Sequence, residues 1–266
     1  MKTKTSLALL TVSTLLGACG APKQPEVSES KIVNGAFAWY FEHPAIITLY
    51  NRDADAICTG TFISETEVLT AAHCSENFEA DRNGEVDGQL SIIHIDDLAG
   101  GKAKIFATST RVVRNPLWEE NGGGVSSADL SIVTFPKGTS KVHMKIAKRR
   151  GQVGDYVEML GYGLDQDNDT EDNSSAAVFR VGYNRIEDVS GGFISFTGDS
   201  YSTSEDGANA SSGAGDSGGP LLVDNQIVGV VSGGVPPDEW GDSTLNYFVD
   251  LHSDVSQQFL KAVLKK

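Results

Sequence analysis

Basic residues are scarce in this 266-residue chain: 21 Lys and Arg stand against 36 Asp and Glu, for a formal net charge of −15. A surface of that sign repels phosphate and gains nothing from counterion release, which excludes nucleic acid as a partner. It also disfavours broad electrostatic adhesion to an anionic bilayer. No apolar run is long enough to span a bilayer as a permanent helix. Methionine is rare too, at three residues, whereas glycine reaches 29, a balance that points to many turns and little helix. The three cysteines are an odd count, which would leave one unpaired thiol in an exported chain. What remains is an ordinary globular composition, 39% hydrophobic and 21% charged, with enough length for one large β domain or two smaller ones.

The first residues supply a reason for the odd cysteine. Lys2 and Lys4 precede an apolar run from Leu7 to Leu16 that ends in Gly17-Ala18-Cys19. A charged start, a short apolar stretch and small residues describe a secretory signal over residues 1–18. The ending Leu16-Gly17-Ala18-Cys19 resembles the bacterial lipobox, in which the cysteine is lipidated and becomes the first residue. With Cys19 carrying lipid, Cys58 and Cys74 remain and can pair in an oxidising compartment. Residues 19–31 contain two prolines and little to bury, and read as a flexible tether. The expected location is the outer membrane or cell surface.

From Ile32 onward, short β runs alternate with turn residues. Residues 45–50, 90–95, 129–135, 157–160, 221–223 and 227–231 are candidate strands, and Asp224-Asn225-Gln226 is a candidate hairpin loop. Only the end has helical period, with Val255, Phe259 and Val263 on one face and Ser253 as candidate N-cap. The pattern predicts one all-β domain of two similar halves, plus a C-terminal helix.

Four segments carry the chemistry: Ile32-Val33-Asn34-Gly35 after a lone Lys31, Leu69-Thr70-Ala71-Ala72-His73-Cys74, Ala128-Asp129-Leu130-Ser131-Ile132-Val133, and Gly213-Ala214-Gly215-Asp216-Ser217-Gly218-Gly219-Pro220. In this order they resemble the trypsin/chymotrypsin family of serine proteases over residues 32–266. Gly161-Tyr162-Gly163 is similar to that family's Gly-Trp-Gly. The resemblance implies two six-stranded antiparallel β-barrels with catalytic residues at their junction, and a disulfide between Cys58 and Cys74. It implies a serine endopeptidase acting on protein or peptide substrates without a cofactor or metal.

The residue chemistry agrees with this. A serine hydroxyl needs an adjacent base, and His73 titrates near operating pH. The base needs a buried carboxylate to fix its tautomer, a role that falls to Asp129. Asp96 and Asp97 are decoys, because Asp129 leads an apolar strand after Asn115-Pro116-Leu117-Trp118. His43, His94, His143 and His252 read as surface or structural residues. The resemblance assigns Ser217 as nucleophile and gives Gly215 and Ser217 the backbone N–H groups of the oxyanion hole. Gly215-x-Ser217-x-Gly219 also matches the nucleophile elbow of α/β-hydrolases, but the alternating helices and strands of that fold are absent.

By the same resemblance, cleavage after Lys31 by an activating protease frees Ile32, whose new amine pairs with Asp216 and completes the site. The uncut chain is then a zymogen, and because Cys58 and Cys74 pair with each other, the cut also releases the domain from its lipid anchor. Ser211 aligns with the base of the primary substrate pocket, where trypsin-like members carry Asp, so an apolar or aromatic substrate residue is expected. Ser232, Gly233 and Gly234 align with the strand that pairs with substrate backbone, Gly234 leaving the entrance open and Leu245 narrowing the interior. The disulfide that braces this pocket in the family is missing, which predicts looser loops. The acidic stretch 165–172 lacks the Gly and Glu of a calcium loop, and Glu76, Glu79, Asp81, Glu85 and Asp87 are spaced too loosely to assign as ligands. The competing reading is a catalytically silent relative that binds a partner.

Overall fold

The computed structural model describes residues 32–96, 102–118, 125–163, 178–199, 206–235 and 243–264. The signal and tether (1–31, with Cys19 and Lys31) and the acidic stretch 165–172 lie outside them. After a two-residue strand β1 (Ala36–Phe37), seven strands build the first half: β2 (Ile46–Asn51), β3 (Ala56–Phe62), β4 (Glu67–Thr70), β5 (Leu90–Asp96), β6 (Lys102–Thr108), β7 (Arg111–Arg114) and β8 (Ser131–Thr134). The second half holds β9 (Tyr156–Gly161), β10 (Arg180–Arg185), β11 (Asp188–Ser190), β12 (Phe193–Asp199), β13 (Pro220–Val223), β14 (Gln226–Val235) and β15 (Ser243–Asp250). The chain then ends in α1 (Asp254–Val263).

The first sheet runs β6-β5-β2-β3-β4-β8-β7 and the second β1-β10-β9-β13-β14-β15-β12-β11, with antiparallel neighbours throughout. Each forms one barrel of an all-β pair, as the sequence predicts. The strand counts are seven and eight rather than six and six. In the second barrel the surplus is the two short edge strands, β1 and β11.

Alternation of inward and outward side chains gives each barrel its own apolar interior. Leu49, Phe62, Val68, Leu90, Val133 and Phe135 fill the first. Ile32, Met159, Ile194, Phe196, Val228 and Phe248 fill the second. A third cluster joins residues of both barrels, such as Ile46, Leu130, Leu160 and Val249, to Phe259 and Leu260 of the helix. Ser253 caps α1 by accepting the Ser256 N–H at 3.1 Å, with Asp254 in the first turn and Lys261 in the last. The helix therefore clamps the junction that holds the candidate site.

Turn chemistry corrects one expected boundary. Val223 pairs with Gln226, so the β13–β14 loop is only Asp224 and Asn225, at φ 50° and 58°. A two-residue hairpin with both central residues at positive φ favours Asp and Asn, and Gln226 is thereby released to the strand. The strand expected over 129–135 is also shorter, β8 beginning only at Ser131, which leaves Asp129 in the turn just ahead of it.

Candidate active site

Strand β4 ends at Thr70, and buried Ala71 and Ala72 lead into a tight turn at His73–Ser75. The turn presents the backbone nitrogen and one ring nitrogen of His73 to one carboxylate. The backbone N–H donates to Asp129 Oδ1 at 3.0 Å, and the ring Nδ1 lies 2.7 Å from Asp129 Oδ2. An ionised carboxylate only accepts, so Nδ1 carries the proton and Nε2 is left as the free acceptor of the neutral ring. Burial pulls the His73 pKa down, but the hydrogen bond and charge of Asp129, helped by Glu76, outweigh it and hold the ring above its ordinary value.

Asp129 is 2% exposed and takes a third hydrogen bond, from Ser232 Oγ at 2.7 Å. The β14–β15 register slips between Val231 and Gly233, so Ser232 is a bulged residue. Bulges re-aim side chains next to functional sites. Beyond the place along the substrate backbone expected of its strand, Ser232 supports Asp129 through its hydroxyl.

The loop 213–220 from the second barrel is pinned onto the first by Thr59. The Thr59 N–H donates to the Ser217 carbonyl at 2.8 Å, and Thr59 Oγ1 donates to the Gly215 carbonyl at 2.9 Å. The seat admits no side chain at Gly218, which sits at φ 81°, where a Cβ would collide with Thr70 Oγ1 and the backbone of Thr59 and Ala71. Cys58 and Cys74 form the disulfide, and the Ser217 carbonyl oxygen lies 3.6 Å from Cys74 Sγ. Ser217 is thus brought to the residue next to His73, half-buried, with Gly215 at φ 96° two positions earlier.

Asp216 turns the other way, into the second barrel. Its two oxygens accept the N–H groups of Gly163 and Gly213, each at 2.8 Å. Any Cβ at Gly161 or Gly163 would strike this carboxylate, which explains both glycines of Gly161-Tyr162-Gly163. Burial pushes the Asp216 pKa up to about 7, against the two N–H groups and the Arg180 charge, which pull it down. Ile32 is 1% exposed in the interior of the same barrel, at φ 58°. In this uncut chain its nitrogen is a peptide nitrogen, so the expected ammonium–carboxylate pair is not formed here.

The expected pocket base is also polar and closed. Ser211 is fully buried, and its Oγ accepts from Asn246 Nδ2 at 3.2 Å. Asn246 Oδ1 in turn accepts the Ser212 N–H at 2.8 Å and the Ser212 hydroxyl at 2.9 Å. Asn246, which the sequence reading passed over, therefore ties the segment entering the nucleophile loop to β15. This is a noncovalent tie between the two segments. The space that a side chain at Gly234 would enter is taken by the Thr244 methyl group, 2.7 Å away, rather than left open. Leu245 and Tyr247, on the opposite face of β15 from Asn246, are half-buried.

Asp81 accepts the N–H groups of Asn83 and Glu85, and Asp87 that of Glu79, so these carboxylates shape their own turn. Cys58, His73 and Cys74 are the one metal-type grouping among the described residues, and its two sulfurs are joined in the disulfide.

Comparison with known proteins agrees with this geometry. The Trypsin family model matches residues 32–252. Trypsin of Sarcophaga bullata is 26% identical over 244 residues, covering 86% of this chain and 88% of its own. Trypsin of Saccharopolyspora erythraea, a bacterial relative, is 24% identical over 210 residues, covering 76% and 86%. The structure of neuropsin, a serine protease of mouse brain, superposes with a TM-score of 0.62 at 16% identity, covering 88% of this chain and all of that one. The chain belongs to the trypsin family of serine proteases.

Proposed function

We propose that the protein is a serine endopeptidase exported as a lipid-anchored zymogen, with Ser217, His73 and Asp129 as its triad. The observation that carries this reading is the double engagement of His73 by Asp129 beside the seated Ser217 turn. Ser217 Oγ attacks the scissile carbonyl while His73 Nε2 takes its proton. Asp129 steadies the imidazolium, and the N–H groups of Gly215 and Ser217 receive the oxyanion. His73 then returns the proton to the leaving amine, and water releases the acyl group from Ser217 by the same relay.

The neutral Ser211 and Asn246 at the pocket base favour an uncharged substrate side chain, since a buried Lys or Arg would lack a counter-charge there. Activation follows from a cut after Lys31 by a second protease, which gives Ile32 an amine to pair with Asp216. Two observations support this: Asp216 is buried without a formed ammonium partner, and the Ile32 side chain is already buried in the interior of the second barrel. With Cys19 lipidated, the same cut severs the domain from its anchor.

The test is the intact mass after exposure to a fluorophosphonate probe, before and after cleavage behind Lys31. One adduct on Ser217 only in the cut form is expected. Labelling of the uncut form would discard the Ile32 switch and keep the protease. A folded sample unlabelled in both forms would make the protein a silent binding relative.

A further inference from the structure

Residues 32–41, Ile-Val-Asn-Gly-Ala-Phe-Ala-Trp-Tyr-Phe, carry no charged side chain in a chain of net charge −15. Ile32 and Val33 turn inward, but Phe37, Trp39, Tyr40 and Phe41 are exposed by 53%, 54%, 60% and 60%. Their rings form one cluster. Phe37 meets Trp39 edge to face at 4.9 Å, Trp39 stacks on Phe41 at 5.5 Å, and Tyr40 meets Phe41 at 5.9 Å.

The backbone beneath them is fixed. β1 pairs with β10, the buried Ala38 donates to the Phe179 carbonyl at 3.2 Å, and the carbonyls of Trp39 and Tyr40 accept the N–H groups of Glu42 and His43. A preassembled aromatic cluster on a rigid base loses little conformational entropy when covered. A contiguous exposed apolar patch of this kind marks an interaction surface.

Its composition and position point to one occupant. Trp and Tyr are the residues of the membrane–water interface, where the ring body enters the acyl boundary and the N–H or O–H stays among headgroups, and Phe adds apolar area to the same face. The chain delivers the patch to such a surface. Thirteen residue positions separate Cys19 from Ile32, at most roughly 45 Å when extended, and Phe37 follows five residues later.

We propose that Phe37, Trp39, Tyr40 and Phe41 form an interfacial anchor that seats the protease domain on a zwitterionic lipid surface. Its delivery to the bilayer rests on the lipoprotein reading above; its affinity does not. The cut after Lys31 then converts permanent anchoring into weak, reversible membrane association. Anionic lipid weakens that association, because the rest of the molecule is acidic.

The experiment uses the lipid-free chain from residue 20 onward, which holds every residue of the described fold, sedimented with phosphatidylcholine vesicles. Expected is co-sedimentation that falls about tenfold or more in the Trp39→Ala/Phe41→Ala double variant, with an unchanged thermal midpoint. Trp39→Phe should still bind but lose the quenching of its fluorescence by brominated phosphatidylcholine, which locates that ring in the bilayer. A parent chain that stays in the supernatant, or a double variant that sediments equally well, overturns the proposal. So does a dimer, seen by light scattering, that the double variant dissolves while vesicles capture neither form. The mass of the exported chain tests the lipid separately: vesicle binding without a diacylglyceryl mass removes the lipoprotein reading and still supports the anchor.

Discussion

Asp129 accepts three hydrogen bonds while almost fully buried, two from one histidine and one from a serine of the other barrel. That arrangement sets the protonation of His73. Its raised pKa means that activity, which needs the neutral ring, should have its acid limb above the ordinary histidine value of about 6.5. Replacing Asp129 by Asn removes the hydrogen bond to a charge that raises the pKa and leaves the burial that lowers it. The expected outcome for Asp129→Asn is a loss of roughly 10⁴-fold in kcat, the size such a change has in the trypsin triad. The acid limb of the residual kcat/KM profile should move to lower pH. A limb that stays in place would mean that Asp129 does not govern the titration of His73. His73, Asp129 and Ser217 were legible from sequence because each lies in a short motif with its neighbours. Asn246 was not: it is one polar residue between Leu245 and Tyr247 in a β run, and its partners Ser211 and Ser212 lie more than thirty positions away. The only local signal was an amide in a strand otherwise rich in aromatic and branched residues.

At the scale of elements, the loop 213–220 shows why the motif around Ser217 is mostly glycine. The loop belongs to the second barrel, yet it is held by Thr59 and seated against Thr70 and Ala71 of the first. A methyl group at Gly218 would collide with backbone of Thr59 and Ala71, neither of which can swing aside as a flexible side chain would. Its φ of 81° adds strain for any L side chain. Gly218→Ala should therefore cost about 1–3 kcal/mol or more in stability, measured by chemical denaturation. It should also displace Ser217, so that fluorophosphonate labelling slows beyond what the stability loss explains. Labelling at the parent rate would show that the seat does not position the nucleophile. The same element explains where sequence pattern stopped. Alternation places six of the strands, five of them to within two residues, but stops at 231 where β14 runs on to Val235, and the turn residues mark the β13–β14 hairpin with Gln226 counted into its loop. The bulge that frees Ser232 arises from how β14 registers on β15, a pairing of segments that no local pattern encodes.

At the scale of the whole molecule, the proposed activation joins the amino end of the domain to the site through Ile32 and Asp216. In the uncut chain Ile32 already contributes a buried side chain, worth about 2 kcal/mol, but it does so at φ 58°, a strained value for a β-branched residue inside a chain. Removing Lys31 removes the preceding carbonyl whose clash makes that value costly. Asp216 carries the second strain. It keeps its proton up to about 7 in the native uncut chain, whereas the unfolded chain ionises near the ordinary 3.8. Between those values the native state binds the extra proton, so stability falls as pH rises through the window and is unaffected below it. The full effect is on the order of 4 kcal/mol. In the proposed cut form, an ammonium at Ile32 reverses it by pairing with the carboxylate, until the amine loses its proton above its ordinary value of about 8. The thermal midpoint of an uncleavable Lys31→Gln chain should thus fall from pH 4 to 7, while that of the cut form should not. The gap between them should narrow again above pH ~9. Other titrating groups are common to both forms and cancel in the difference. Adding Asp216→Asn to the uncleavable chain should abolish its decline. Parallel curves for the cut and uncut forms would show that the Ile32 amine is not the partner of Asp216, and would leave the protease without this switch.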